Sequence, residues 1–172
     1  MAQVDKATRD RNQVAGPQNV LIIGAGPVGL TLAIELKRFG VAVRIVEKAA
    51  QRTDKSKALV LWSRTLELLD RQPGGSKAFS ESGFKVGAVS FLSGDKLIGR
   101  ASMDSVASPY PYALMLPQSE TERILEDRLE GLGVTVERQV EAVRLSQRDD
   151  GADVVLRTSM VVASPTGGAS RG

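Results

Sequence analysis

Short, unbroken apolar runs alternate along this chain with longer segments in which apolar and polar residues are mixed. The first run, Val20–Ile23, has the length and composition of a parallel strand that is buried on both faces. A glycine-rich turn and a mixed segment that ends at Gly40 follow it, and residues 41–46 form a second apolar run. This order predicts a strand, a helix and a second strand, and therefore an α/β fold.

The same periodicity predicts two further helices. Apolar residues recur at helical spacing over residues 60–71, where Trp62 is expected in the core or at an interface. Ser119 and Glu122 have the S-x-x-E spacing of a capping box, which predicts a helix from Ser119 to about Leu132. Gly133 is expected to end that helix.

Other segments predict strands and turns. Residues 85–100 predict a hairpin with its turn at 93–96, and the prolines within 108–112 restrict that stretch to a loop or an extended segment. The Asp150-Gly151 pair predicts a turn between two strands. Strand-like segments near the end of the chain are 134–137, 140–145 and 153–156.

The turn after the first strand has the spacing G-x-G-x-x-G at Gly24, Gly26 and Gly29. In such a motif the first glycine allows the tight turn, the second lets the backbone approach a pyrophosphate, and the third lets helix and strand pack closely. Pro27 suits the first turn of a helix, whose free N–H groups and dipole point at the phosphates. Glu47 ends the second run, about 20 residues beyond the glycines, where an acid accepts hydrogen bonds from the adenosine ribose. The sequence therefore predicts a dinucleotide site.

Composition excludes several other kinds of site. A chain of 172 residues is long enough for one domain with a sizeable core. It has no cysteine and no histidine, which excludes disulfides, thiolate chemistry and a Ser-His-Asp triad and removes the commonest metal ligand. The net charge is +3, but basic and acidic residues are interleaved and aromatic residues make up only 4% of the chain. A solvated surface is therefore favoured over a nucleic-acid site.

The two ends of the chain differ from its middle. Residues 1–18 are polar and are expected to form a disordered leader and not a secretory signal. The run Val20–Ile23 is far too short to span a bilayer, so no membrane association is expected and a cytoplasmic protein is the default. Residues 158–172 form a low-complexity tail that is rich in glycine and serine.

The order of the motifs resembles one family. The motif GAGPVGL, then Glu47, then SKALVLWSRTLELL and LPQSETERILEDRL together resemble the N-terminal part of the FAD-dependent aromatic hydroxylases. These are the single-component flavoprotein monooxygenases that include 4-hydroxybenzoate hydroxylase. The resemblance covers residues 19–157 and implies a Rossmann-like FAD-binding domain with an interleaved β-rich segment at about 84–116. It further implies FAD as cofactor, NADH or NADPH as reductant, and O₂ as the source of an oxygen atom placed on a small aromatic substrate.

The resemblance also implies roles for individual residues. The glycine turn would wrap the pyrophosphate, Glu47 would hold the ribose, and Gln118 would contact the flavin side of FAD. Lys57 falls where many relatives place an arginine near the pyrophosphate and the reductant, and a lysine keeps the charge but loses the bidentate fork. No catalytic residue and no metal ligand is identified. The implied cofactor-binding residues are Gly24, Gly26, Pro27, Val28, Gly29, Glu47, Lys48, Lys57 and Gln118.

Two signatures of the family are missing from the sequence: an Asp-Gly motif followed by Ser and Arg, and a later Gly-Asp motif. Asp150-Gly151 and Gly94-Asp95 have the right letters but lie in predicted turns. The fold is therefore expected to be incomplete at its C-terminus, and the chain is expected to be inactive alone. Two alternatives stay open, a noncatalytic dinucleotide-binding module and a fragment of an NAD-dependent dehydrogenase. The hairpin at 85–100 disfavours the dehydrogenase, because a typical NAD domain would continue into further βα units.

Overall fold

The computed structural model describes residues 20–52 and 60–159, which form ten strands and four helices. The strands are β1 (Val20–Ile23), β2 (Val43–Glu47), β3 (Val60–Leu61), β4 (Phe84–Val86), β5 (Ala88–Ser93), β6 (Lys96–Ser102), β7 (Ala113–Met115), β8 (Glu137–Arg138), β9 (Val140–Arg148) and β10 (Gly151–Thr158). The helices are α1 (Pro27–Arg38), α2 (Ser63–Asp70), α3 (Lys77–Ser82) and α4 (Gln118–Gly131). No helix within the two described ranges is long and apolar enough to cross a membrane.

A parallel sheet in the order β1-β2-β8 carries the predicted strand–helix–strand unit. One face of the sheet is covered by α1, which buries Leu30, Ala33 and Ile34 in the same core as Ile22 and Ile45. Burial of each leucine or isoleucine side chain contributes about 1.5–3 kcal/mol. The α/β fold and the Rossmann-like unit that the sequence predicts are therefore confirmed.

The core continues from this unit into a small antiparallel sheet in the order β3-β7-β4. Leu66 of α2, Phe79 of α3 and Leu114 of β7 are fully buried in it, and Leu125 joins them from α4. Because α4 also packs against α1, the two sheets share one core. The strand pairs β5–β6 and β9–β10 form two separate antiparallel hairpins.

The capping box predicted at Ser119 is wrong. Helix α4 begins one residue earlier, at Gln118, with Pro117 as its N-cap and no side-chain cap. The Pro117 carbonyl accepts the backbone N–H of Thr121 at 3.0 Å, so Ser119 already lies inside the first turn and cannot serve as the cap. The end of α4 agrees with the prediction, since Gly133 beyond it has a left-handed φ of +76°.

The helix predicted over residues 60–71 is shorter in the structure. Of the two positions expected for Trp62, the core position is wrong, and the interface position stays a prediction. Trp62 is 55% exposed and occupies the N-cap position of α2. The reason is that the chain is still extended at β3 and becomes helical only at Ser63, which directs Leu66 and Leu69 into the core instead.

Burial of β1 on both faces is also wrong. Ile23 is 56% exposed, because α1 covers only one face of the sheet and β1 is the end strand of the described sheet. The hairpin at 85–100 is confirmed but shifted to β5–β6, since β4 pairs with β7 and not with the hairpin. The loop at 108–112 is confirmed.

The strand predicted at 134–137 is reduced to the two residues of β8. The strands at 140–145 and 153–156 are confirmed as β9 and β10, with Asp150 in the turn between them. The predicted leader, Lys57 and nearly all of the predicted tail lie outside the described residues.

Candidate cofactor site

The turn between β1 and α1 has the geometry expected of its glycines. Gly24 has a φ of +104°, a conformation that residues with side chains rarely adopt, and its N–H donates to the Val46 carbonyl at 2.8 Å. A Cβ on Gly29 would lie 2.0 Å from the Gly24 carbonyl oxygen, so α1 approaches the strand too closely for any other residue. A Cβ on Gly26 would meet only Glu122 Oε1, at 4.0 Å. The turn is therefore closed toward the sheet and open in front of Gly26.

The first turn of α1 presents backbone donors at this opening. Pro27 is its first residue, and the first bond inside the helix runs from the Leu30 N–H to the Gly26 carbonyl at 3.0 Å. The N–H groups of Val28 and Gly29 therefore have no acceptor within the helix. The first turn carries no acidic side chain, so its dipole is available to an anion.

Glu47, the last residue of β2, lies directly beside the glycine turn. Its Oε2 accepts the Ala25 N–H at 3.0 Å, and its Oε1 accepts the Ala49 N–H at 2.9 Å. Burial acts to raise the pKa of Glu47, but these two hydrogen bonds and the positive charges of Arg138 and Lys48 outweigh it, so the pKa is lowered. The carboxylate is therefore ionised at neutral pH, and each oxygen keeps a lone pair for a hydroxyl donor.

The first turn of α4 forms the opposite side of the opening. Gln118 Nε2 donates to Glu122 Oε1 at 2.7 Å, and Glu122 is only 5% exposed. These two side chains, the glycine turn and Glu47 line one cleft of about 270 Å³.

Two arginines complete the wall of this cleft and share one buried carboxylate. Arg138 donates to both oxygens of Glu126 at 2.8 Å, and Arg52 donates to Glu126 Oε2 at 2.9 Å. Arg138 reaches this position because β8 pairs with β2, where it lies opposite Glu47. Since one carboxylate is shared by two guanidinium groups, this wall keeps N–H donors for an anion, and the carboxylates of Glu47 and Glu122 line the rest of the cleft.

The structure brings together only part of the predicted set. Gly26, Glu47 and Gln118 line the same cleft. Lys48 is exposed and lines a neighbouring groove of about 260 Å³ together with Gly24. A third groove, of about 500 Å³ along β1, is lined by the remaining glycine-turn residues Pro27, Val28 and Gly29.

Three charged residues of the cleft were not predicted from the sequence as site residues: Arg52, Glu122 and Arg138. A signal existed for Glu122, because it lies one helical turn after Gln118 and therefore on the same face of α4. No spacing in the sequence indicates Arg52 or Arg138, since both depend on how distant segments meet.

The comparison with protein families agrees with this geometry. Residues 18–162 match the family described as FAD binding domain. The match includes every strand and helix of the described structure.

Known relatives are similar over most of this chain but over a small part of their own. The chain is 43% identical over 146 residues to 6-methylpretetramide 4-monooxygenase of Streptomyces rimosus, which covers 83% of this chain and 26% of the relative. It is 37% identical over 137 residues to an uncharacterized aromatic compound monooxygenase of Bacillus subtilis. This match covers 80% of this chain and 27% of that relative. The solved structure of the anhydrotetracycline hydroxylase OxyS from Streptomyces rimosus is similar with a TM-score of 0.69 at 36% identity, over 79% of this chain and 27% of that one. The chain thus spans about a quarter of the length of the curated relatives it matches.

Proposed function

The chain belongs to the FAD-binding domain family, and we propose that it holds the ADP half of FAD in the cleft between the glycine turn, the end of β2 and the start of α4. The observation that carries this proposal is the meeting of an open helix N-terminus at Gly26 with the ionised Glu47 in one cleft. The pyrophosphate would bind the free N–H groups of α1, and the ribose hydroxyls would donate to Glu47. The positive wall of Arg52 and Arg138 supports the binding of the phosphates.

FAD is favoured over NAD for two reasons. The family match concerns FAD-binding domains, and α4 places Gln118 at the cleft, where the resemblance implies a contact to the flavin side of FAD. Lys48 and Lys57 remain proposed cofactor contacts, as do the other residues named from the resemblance.

We further propose that this domain serves a flavoprotein monooxygenase that places an oxygen atom from O₂ on a small aromatic substrate, with NADH or NADPH as reductant. The names of the relatives, which include an aromatic compound monooxygenase, support this. FAD supplies the redox chemistry when bound, and the residues of this chain bind and orient it. A cytoplasmic location, and a domain over residues 19–157 with a β-rich insertion at about 84–116, belong to the same proposal.

Residues 1–172 alone are expected to bind FAD without hydroxylating a substrate. Most of the described residues that line the cleft are polar or charged and none of them is aromatic, whereas oxygen chemistry on a flavin needs a site that excludes water. The same lining favours the second candidate, a noncatalytic dinucleotide-binding module. NAD(P)H oxidation with FAD and a panel of phenols, followed by product analysis, separates the two roles. Formation of a hydroxylated product by this chain alone would contradict the expectation.

Titration with FAD, followed by flavin fluorescence, tests the cofactor site. Glu47→Ala should weaken binding by about 1.5–3 kcal/mol, the value of a hydrogen bond to a charged group. Gly26→Val should weaken it more, because a branched side chain would fill the space in front of the turn. Matched controls are Glu130→Ala on the exposed face of α4 and Gly99→Val on β6, where a Cβ meets nothing within 4 Å. Equal affinity of all five proteins for FAD would contradict the proposed site.

A further inference from the structure

Glu122 is a buried carboxylate that the proposed contacts to FAD do not use. It is 5% exposed, and its Oε1 lies 4.0 Å from the position that a Cβ on Gly26 would take. A negative group so close to the proposed pyrophosphate position opposes the binding of an anion. Its presence in the cleft therefore requires another role.

The geometry indicates that this role concerns Gln118. Glu122 follows Gln118 by four positions on α4, so the two side chains lie on one face of the helix. Gln118 Nε2 donates to Glu122 Oε1 at 2.7 Å. A carboxylate accepts hydrogen bonds and does not donate them, so it must face the nitrogen end of the amide. This hydrogen bond therefore fixes the Gln118 amide in one orientation, with its nitrogen toward Glu122 and its carbonyl oxygen on the other side.

We infer that Glu122 is a positioning residue that fixes the orientation of the Gln118 amide for its contact with the flavin side of FAD. The inference rests on the proposed function, because Gln118 needs a fixed orientation only if it contacts the cofactor. An amide has a donor end and an acceptor end of nearly the same shape, so shape alone does not choose between its two orientations. The Glu122 carboxylate selects the orientation in which the amide nitrogen faces it, because a carboxylate only accepts hydrogen bonds.

The experiment compares FAD with ADP, which has the phosphates but not the flavin. The full chain, Glu122→Gln, Gln118→Ala and the double variant are titrated with FAD by fluorescence and with ADP by calorimetry. Glu122→Gln keeps the size of the side chain, but two amides can pair in either orientation. It should lower the ratio of FAD affinity to ADP affinity by about twofold or more, because only part of the Gln118 amides then has the binding orientation. Loss of the negative charge beside the pyrophosphate should tighten the binding of both ligands equally, so it does not change this ratio. In the Gln118→Ala background the same substitution should not change the ratio further, since coupled residues are not additive.

Glu130→Gln is the matched control, because it is the same substitution at an exposed position of the same helix. It should change neither affinity. Thermal unfolding of each variant reports whether the fold is kept. If Glu122→Gln does not fold, Gln118→Ala still tests the inference. Unchanged FAD affinity of Gln118→Ala would show that Gln118 does not contact the cofactor, and Glu122 would then have no residue to position.

Two results would overturn the inference while leaving the proposed function intact. These are an unchanged ratio of FAD affinity to ADP affinity in Glu122→Gln, and an additive loss of that ratio in the double variant. A full chain that binds neither FAD nor ADP would instead remove the proposed function, and the inference with it.

Discussion

At the scale of single residues, two glycines show that the effect of adding one methyl group depends on its surroundings. Both lie in helices, Gly29 in α1 and Gly131 at the end of α4. A Cβ on Gly29 would lie 2.0 Å from the Gly24 carbonyl oxygen, whereas a Cβ on Gly131 would meet nothing within 4 Å. The first is a site of close backbone contact, and the second is open.

Gly29→Ala should therefore lower the free energy of unfolding by about 1–3 kcal/mol or more, because α1 must move away from β1. Gly131→Ala should be neutral or stabilising by up to about 1 kcal/mol, because alanine has the higher helix propensity. Urea unfolding followed by circular dichroism measures both. Similar stabilities of the two variants would show that α1 can shift without strain.

The sequence predicts residue roles well where the requirement is local. The positive φ of Gly24 and the tight contact at Gly29 follow from the spacing of the glycine motif, because turn and helix are adjacent in the chain. Arg138 is different, since it reaches the cleft only through the pairing of β8 with β2. Trp62 fails as a predicted core residue because helical spacing does not specify where the helix begins.

At the scale of elements, predictions are again correct where the contacts are local and wrong where distant segments of the chain meet. The β5–β6 and β9–β10 hairpins are confirmed because each strand pairs with its neighbour across a short turn. The six-residue helix α3 and the short strands β3 and β7 were not predicted, since their few residues carry too little periodicity. β7 is formed by pairing with both β3 and β4, which lie far from it in the chain.

An ion pair joins β8 to the parallel sheet in addition to the backbone pairing of β8 with β2. Arg44 of β2 donates from Nε and Nη2 to the two oxygens of Glu137 in β8, both at 2.7 Å. Its hydrogen bonds with Glu137 raise the pKa of Arg44 against the effect of burial. Since β8 has only two residues and also carries Arg138 to the cleft, this pair links sheet stability to the cofactor site.

A double-mutant cycle on Arg44→Ala and Glu137→Ala should give a coupling energy of about 1 kcal/mol in urea unfolding. The exposed pair Arg38 and Glu35 on α1 is the control, for which about 0.2–0.5 kcal/mol is expected. Arg44→Lys should lose most of the coupling, because a lysine cannot form the bidentate contact. A coupling no larger than that of the control pair would show that β8 is held by its backbone alone.

At the scale of the whole molecule, many large apolar side chains of the described residues are exposed, among them those of three regions. On the β5–β6 hairpin, Phe91 and Leu97 are 55% and 57% exposed. Beside the glycine turn, Val28 is 83% exposed and Ile23 on β1 is 56% exposed. On β9, Leu145 is 63% exposed. In the described part of the chain, β1 also pairs with a neighbour on one edge only, which leaves a row of backbone groups for association.

This surface predicts low solubility, binding of a hydrophobic dye and broad thermal unfolding, because large exposed apolar areas favour association. Phe91 and Leu97 are both exposed and lie on the two strands of the hairpin. Replacing both by threonine, which keeps β-propensity, should lower dye fluorescence and leave FAD affinity unchanged, because neither residue lines the cofactor cleft. Ser90→Thr, at an exposed polar position of the same hairpin, is the control. A monomeric protein with a sharp transition and no dye binding would contradict this prediction. Residues 1–172 would then behave as a self-sufficient domain, and the noncatalytic dinucleotide-binding module would become the better description of their function.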